Sequence, residues 1–515
     1  MAALDKLLCF GAENSRLPHT TVIEKEAIAV IKRKFAGLKR PGQDIAVILE
    51  GRRIKTFDGH VFDFIEPLRR QCTYLLGGDF RLGKFALTYS KQGLTAVSSD
   101  SGITIARDGS LTAIGGNKIK HLPYSSPGKE LSVHLQNGEL HMDIVDGQAR
   151  VTFDSDGDFF IVEMNRDLNN ASLGLLGTNN MEKGDDLRLA DGSIADSETT
   201  LQEDYELTGH KKCQLGASNS SACTRFDYPT CMSLSSKWPQ AIPCFLVLNP
   251  QPFILQCQQD ECQGRSGCRA VKAYLTACRH SGVTVETPKP CVECPVKSKL
   301  LDIVVVQSLH TAVTTESDFM MTARHLAHSL EDMDLRVGVV SYGGKGEDLE
   351  PKAHLINGKL FERAGKMRKP QNVSIQGGDL ATNASDALKI AAQYPFRSQA
   401  TRAVVLVHPY EWKCPEEDNE ELTALFKQKH TVLIASANFP EFSDDKVFGL
   451  WSNGKVIGKG KHVNPPKDDY SKLVKSTGGM WLDLGILHHG QGYKMKYITK
   501  SVRQLWKRDY LGCSP

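Results

Sequence analysis

Ten of the fourteen cysteines in this 515-residue chain fall in one stretch of 82 residues, from 213 to 294. They are Cys213, Cys223, Cys231, Cys244, Cys257, Cys262, Cys268, Cys278, Cys291 and Cys294. Such density marks a disulfide scaffold made in an oxidising compartment. The stretch has too little apolar content for a core of its own, so disulfides must supply much of its stability. Cys72 joins them upstream, and spacing leaves the pairing open. Cys291 and Cys294 form a CxxC without a second pair or a nearby histidine, which reads as structural rather than metal-binding or redox-active. Four glycosylation candidates, Asn170, Asn219, Asn372 and Asn383, fit the same compartment. The opening ten residues are not a secretory signal, because Asp5 and Lys6 break a short apolar run. A secreted composition without a signal predicts that upstream sequence is missing.

The length predicts about three domains. A net charge of +3 gives no footprint for nucleic acid, and no apolar run approaches the ~18 residues of a membrane span. Residues 20–38 carry apolar side chains at helical spacing. From Asp44 to about residue 165 short strands alternate with Asp108-Gly109, Asn137-Gly138, Asp146-Gly147 and Asp156-Gly157, turn pairs suited to positive φ. That pattern predicts an antiparallel β-sandwich or meander. The loop Gly174–Asp186 then gathers two glycines with Thr178, Asn179, Asn180, Glu182, Asp185 and Asp186. Closely spaced oxygens on a bending loop suit a hard cation such as Ca²⁺, and equally suit an Asn/Asp/Gly turn that binds nothing. Asp58, at the mouth of a strand, is an upstream partner.

The order Thr56-Phe-Asp-Gly59, Cys72-Thr-Tyr-Leu-Leu76 and Gly174-Leu-Leu-Gly177 with Asp185 and Asp186 resembles a von Willebrand factor type D domain. The resemblance implies a structural Ca²⁺ held by Asp58, Asn180, the Glu182 carbonyl, Asp185 and Asp186. Two departures matter: Leu176 replaces the usual cysteine, and Thr178 replaces the usual asparagine. The self-cleavage sequence of some relatives is replaced by Glu50-Gly-Arg-Arg53, so neither self-proteolysis nor thiol exchange is expected. The cysteine-rich segment, with a short helix over 269–278, resembles the small module that commonly follows a type D domain.

Beyond Pro295, continuous apolar strands such as Leu300–Val306, Leu335–Ser341, Ala403–His408 and Thr431–Ala435 alternate with amphipathic helices. This predicts a doubly wound parallel α/β sheet. Its order resembles a von Willebrand factor type A domain, a family that often carries a metal site. Gln307-Ser-Leu-His-Thr311 and His408-Pro-Tyr410 stand where its carboxylates would, and only Thr382 fits, so a metal-free scaffold is expected. No Gly-x-Ser-x-Gly elbow, Walker loop or His-Glu-x-x-His occurs, and His488-His489 reads as solvated; no enzyme activity is expected.

The expected divisions are an N-terminal helical remnant (1–43), a type D-like domain (44–212), a cysteine-rich module (213–297), a degenerate type A-like domain (298–485) and a tail (486–515). The ensemble resembles the C-terminal region of large lipid transfer proteins, the superfamily of apolipophorins and vitellogenins. The resemblance implies a secreted, non-enzymatic lipoprotein module. Its lipid contact would come from the missing upstream region, and its other partners would be extracellular proteins or receptors. The alternative is an adhesive or clotting-type glycoprotein whose type D domain mediates multimerisation.

Overall fold

The computed structural model describes residues 43–483 with internal gaps. Outside the described residues lie 1–42, 217–227, 292–298, 310–329, 344–349, 367–383, 409–415, 438–448, 457–470 and 484–515, with shorter stretches. The expected helix at 20–38, most of the one at 318–330, Thr382, Cys223, Cys294, Asn219, Asn372, Asn383, His488 and His489 therefore lie outside the described residues. By its contacts the chain divides into two compact units. One comprises residues 1–100, 143–153 and 157–292, and the other 101–142, 154–156 and 293–515.

In the first unit the strand Gln43–Leu49 pairs antiparallel with Phe159–Asn165 on one side and with Arg53–Lys55 on the other. Val61–Asp63 adds to Arg53–Lys55. Residues 45–49 are all buried, so this strand has a core on each side. One core is aromatic: Phe64 meets Tyr74 and Tyr89 edge-on at 5.2 and 5.4 Å, and Phe153 meets Phe160 at 4.5 Å. Tyr74 and Tyr89 face each other across the antiparallel strands Thr73–Gly78 and Phe85–Ser90, which places large rings on a neighbouring strand pair. Of the four predicted turn pairs, Gly109, Gly138 and Gly147 take positive φ; at the fourth, Asp158 takes it instead. A short carboxylate side chain tolerates that conformation well enough to move the turn by one residue.

The other core was not visible in the sequence. Ile45, Val47, Leu49, Phe159 and Ile161 pack directly against Trp238, Phe245, Leu248, Phe253, Val271, Tyr274 and Cys278 of the cysteine-rich segment. Helices Gln251–Cys262 and Cys268–His280 thus complete their apolar faces on the sheet. The expectation that this segment lacks a sufficient core of its own is met by sharing one. At the rim of this core His280 Nδ1 lies 3.0 Å from Glu163 Oε2, and Arg53 Nη2 donates to Gln259 Oε1 at 3.3 Å. The described disulfides are Cys72–Cys213, Cys231–Cys257, Cys244–Cys278 and Cys268–Cys291. Cys262 is also disulfide-bonded.

In the second unit five strands run parallel in the order Met480–Asp483, Thr431–Ala437, Thr401–His408, Leu300–Ser308, Asp334–Tyr342. Their apolar runs are buried nearly throughout, as covered parallel strands require. Lys352–His354 extends the sheet antiparallel, and His121–Leu122 extends it once more. Helices Ala384–Ala392, Glu416–Gln428 and Ser471–Ser476 neighbour one another in that order and form one layer on this sheet. The second covering layer that double winding requires does not appear among the described residues. Ser341 Oγ and His354 Nε2 lie 2.6 Å apart between adjacent strands, both buried.

A buried charge fixes the start of this sheet. Asp302, fully buried, accepts from Arg336 at 2.9 and 2.6 Å and from Arg397 at 3.0 and 2.7 Å. The Arg397 amide adds a bond at 2.8 Å. Asp302→Ala should cost about 3 kcal/mol in urea titration, because Arg336 loses the carboxylate that offsets its burial and Arg397 keeps only Asp334, at 2.9 Å. A loss under about 1 kcal/mol would show that the arginines reach water instead.

Candidate metal centre

The centre joins two distant stretches. Residues 56–60 form a tight turn in which the Gly59 amide donates to the Thr56 carbonyl at 3.3 Å and the His60 amide to Thr56 Oγ1 at 2.8 Å. This turn projects Asp58 towards the loop 174–186. The loop is laid on the sheet by backbone bonds from Leu175 and Leu176 to the carbonyls of Leu75 and Leu76, at 3.1 and 2.9 Å. Leu176 is fully buried, so the residue standing in place of a cysteine serves as core. Both glycines are required. Gly174 has φ +135 and a Cβ there would meet the Leu76 carbonyl at 2.5 Å; Gly177 has φ +83 and a Cβ would collide with Asp186 Oδ1.

The structure links Asp58 to Asn180 and Asn180 to Asp185, and ties Asp186 to the turn at Thr56. Asp58 accepts the amides of Asn180 and Met181, at 3.0 and 2.6 Å. Asp185 accepts from Thr178 Oγ1 at 3.1 Å and from Asn180 Nδ2 at 2.8 Å. Asp186 Oδ2 accepts from Thr56 Oγ1 at 2.7 Å and the His60 amide at 3.3 Å. The Glu182 side chain is exposed, while its carbonyl accepts the Asp185 amide at 3.3 Å. Sequence reasoning missed Thr56, which holds Asp186, and Arg188, whose Nη2 donates to Asp185 Oδ2 at 2.8 Å. Thr56 sits in the same tetrapeptide as Asp58, so proximity in sequence was the available signal. Thr178, which stands in place of the usual asparagine, orients Asp185 through its hydroxyl.

The electrostatics centre on Asp186. Burial pushes its carboxyl up to about 7, and the neighbouring charges of Asp58 and Asp185 push the same way against the bonds from Thr56 and His60. Its Oδ1 is buried without a hydrogen-bond partner. Burial also lowers Lys55 to about 8, although Asp186, Asp58 and Asp44 favour its charge. The Lys55 ammonium donates to the carbonyls of Ile45 and Thr56, at 2.9 and 3.0 Å. The oxygen chemistry suits a hard cation, and the unpartnered Asp186 Oδ1 lies buried against Gly177. Among the described residues, however, no three acidic, histidine or cysteine side chains are arranged as a ready cage.

Of the sequence-predicted modification sites, Asn170 is exposed at positive φ. The described cysteine pairs place Cys72 and Cys213 across 141 residues, closing the unit that holds the centre.

The turn, the loop and the module that follows define a recognisable pair of domains. Residues 47–193 match the von Willebrand factor type D domain, and residues 230–295 match the C8 domain. Among curated relatives, the chain is similar to apolipophorins of Locusta migratoria, 23% identical over 427 residues, covering 73% of this chain and 12% of that protein. It is similar to von Willebrand factor of Bos taurus, 25% identical over 247 residues, covering 45% of this chain and 25% of that one. It is also similar to the human IgGFc-binding protein, 26% identical over 272 residues, covering 47% and 5%. The chain thus spans a quarter or less of each of these relatives.

Proposed function

We propose that this chain is a non-enzymatic extracellular module of a lipid-carrying lipoprotein, stabilised by Ca²⁺ and acting in assembly and protein interaction. One observation carries the reading. The type D and C8 matches together run from residue 47 to 295, which is 249 residues (295 − 47 + 1). The von Willebrand factor similarity, at 247 residues, has the length of that pair alone. The apolipophorin similarity, at 427 residues, exceeds it and must include sequence outside the pair. The parallel sheet of the second unit supports the reading of a type A-like scaffold, with buried Gln307 and Ser308 ending the strand Leu300–Ser308. The disulfides accord with an extracellular setting; among the described residues no helix is long and apolar enough to cross a membrane.

Ca²⁺ would be held by Asp58, Asp185 and Asp186 with Asn180 and the Glu182 carbonyl, and would supply the charge that buried carboxylates lack. Arg188 competes for Asp185 and would have to yield. Thr56 orients Asp186, Thr178 orients Asp185, and the Asn180 and Met181 amides orient Asp58. The adhesive alternative is favoured by the similarities confined to the type D–C8 length. Flotation separates the two: native protein captured through residues 44–212 should float with lipid in a salt density gradient. Sedimentation as a lipid-free multimer would overturn the lipoprotein reading in favour of the adhesive one.

A further inference from the structure

The turn between Thr73–Gly78 and Phe85–Ser90 presents every residue from Phe80 to Lys84 to solvent. Phe80 is 47% exposed and Leu82 is 62% exposed. These side chains are not at a loose tip. Buried Asp79 accepts the Arg81 and Leu82 amides at 3.1 and 3.0 Å, and its carbonyl accepts the Gly83 amide at 2.9 Å. The Phe80 amide donates to the Ala171 carbonyl at 2.9 Å, and Arg81 Nη2 to the Asp167 carbonyl at 3.3 Å. The backbone is therefore fixed with an aromatic and a branched aliphatic side chain facing water. Both charged residues among 80–84, Arg81 and Lys84, are basic.

We propose that this turn is a lipid-surface contact, with Phe80 and Leu82 entering the interfacial layer and Arg81 and Lys84 meeting anionic phosphates. Apolar side chains set among cations suit the boundary between headgroups and acyl chains, where the ring and the isobutyl group leave water while the charges remain hydrated. A protein partner would equally cover the apolar pair, but the two charged side chains of residues 80–84, with exposed Asp167 beside Arg81, are basic and match an anionic phospholipid surface. A prefixed backbone lowers the ordering cost of the contact. The inference takes its physiological lipid from the lipoprotein reading, yet the two fail separately. Native protein that floats while the chain ignores vesicles would sink this contact alone.

The test is co-sedimentation of the full chain with phosphatidylcholine vesicles, with and without phosphatidylserine. An Asn170→Gln background removes the sequon next to Ala171, so that a glycan does not shield the turn. Binding is expected to be stronger with phosphatidylserine. Phe80→Ser with Leu82→Ser should weaken binding at least about tenfold. Arg81→Gln with Lys84→Gln should abolish most of the phosphatidylserine dependence, at about fivefold per cation. Melting temperature should hold in the serine variant, since both side chains are exposed. No vesicle binding by the parent chain, or undiminished binding by the serine variant, would overturn the proposal; capture by a protein partner without vesicle binding would do the same.

Discussion

Chelation should lower the melting temperature at pH 7.5, and Asp186→Asn should remove the difference between chelated and calcium-loaded protein. The reason lies in one carboxyl. In the folded chain Asp186 titrates near 7 rather than at its ordinary 3.8, chiefly through burial. Between those values the folded state holds a proton that the unfolded state has released. Without a cation, stability therefore falls as pH rises from about 4 to about 7 and levels off above. The proposed calcium would bind the ionised form and reverse the trend at the high end. At a hundredfold excess over its Kd a ligand adds about 2.7 kcal/mol, a change of several degrees. Two scans decide it. Chelated protein should melt higher at pH 5.5 than at pH 7.5, while saturating calcium should cancel or invert that order. A side-chain amide in place of the carboxyl cannot ionise, so D186N should lose both the pH trend and the calcium response. A melting temperature unmoved by chelation at pH 7.5 would falsify the metal assignment.

The two halves of this centre were legible because each half is short. Thr56–Gly59 and Gly174–Gly177 are turns whose glycines and oxygens are explicit in the sequence, and Asp58 does reach the Asn180 amide 122 residues away. What holds the ligands was less legible. Arg188 and Thr178 act on Asp185 through loop curvature, which residue type alone does not reveal. Strand periodicity located most elements, since alternation and apolar runs are local properties. It could not show that residues 45–49 are buried on both faces, because the second face is covered by helices about 200 residues downstream in sequence. Nor could it place His121–Leu122 beside Lys352–His354, a pairing of two short strands with no local signal. Disulfide pairing was equally hidden: Cys268 and Cys278 sit in one helix, yet bond to Cys291 and Cys244 rather than to each other.

That shared core leads to the other large expected effect. Phe253→Ala should destabilise the first unit by about 3–5 kcal/mol, the usual cost of removing a buried ring. Phe253 is fully buried, with its ring 5.1 Å from that of Tyr274, whose hydroxyl donates to the Leu248 carbonyl at 3.1 Å. The damage should not stay within the cysteine-rich helices. Ile45, Val47 and Leu49 use the same core, so loosening the helices exposes one face of the strand that pairs with both Phe159–Asn165 and Arg53–Lys55. Native-state hydrogen exchange measures this residue by residue. Amides of residues 45–49 and of residues 271–278 should lose protection together and by similar free energies. If the helix amides open while those of the strand keep their protection, the disulfides alone sustain the module and the common core is not a cooperative one. Joint loss would mean that the type D sheet and the C8 helices unfold as one body, so that a cation held at the proposed centre would steady helices that it never touches.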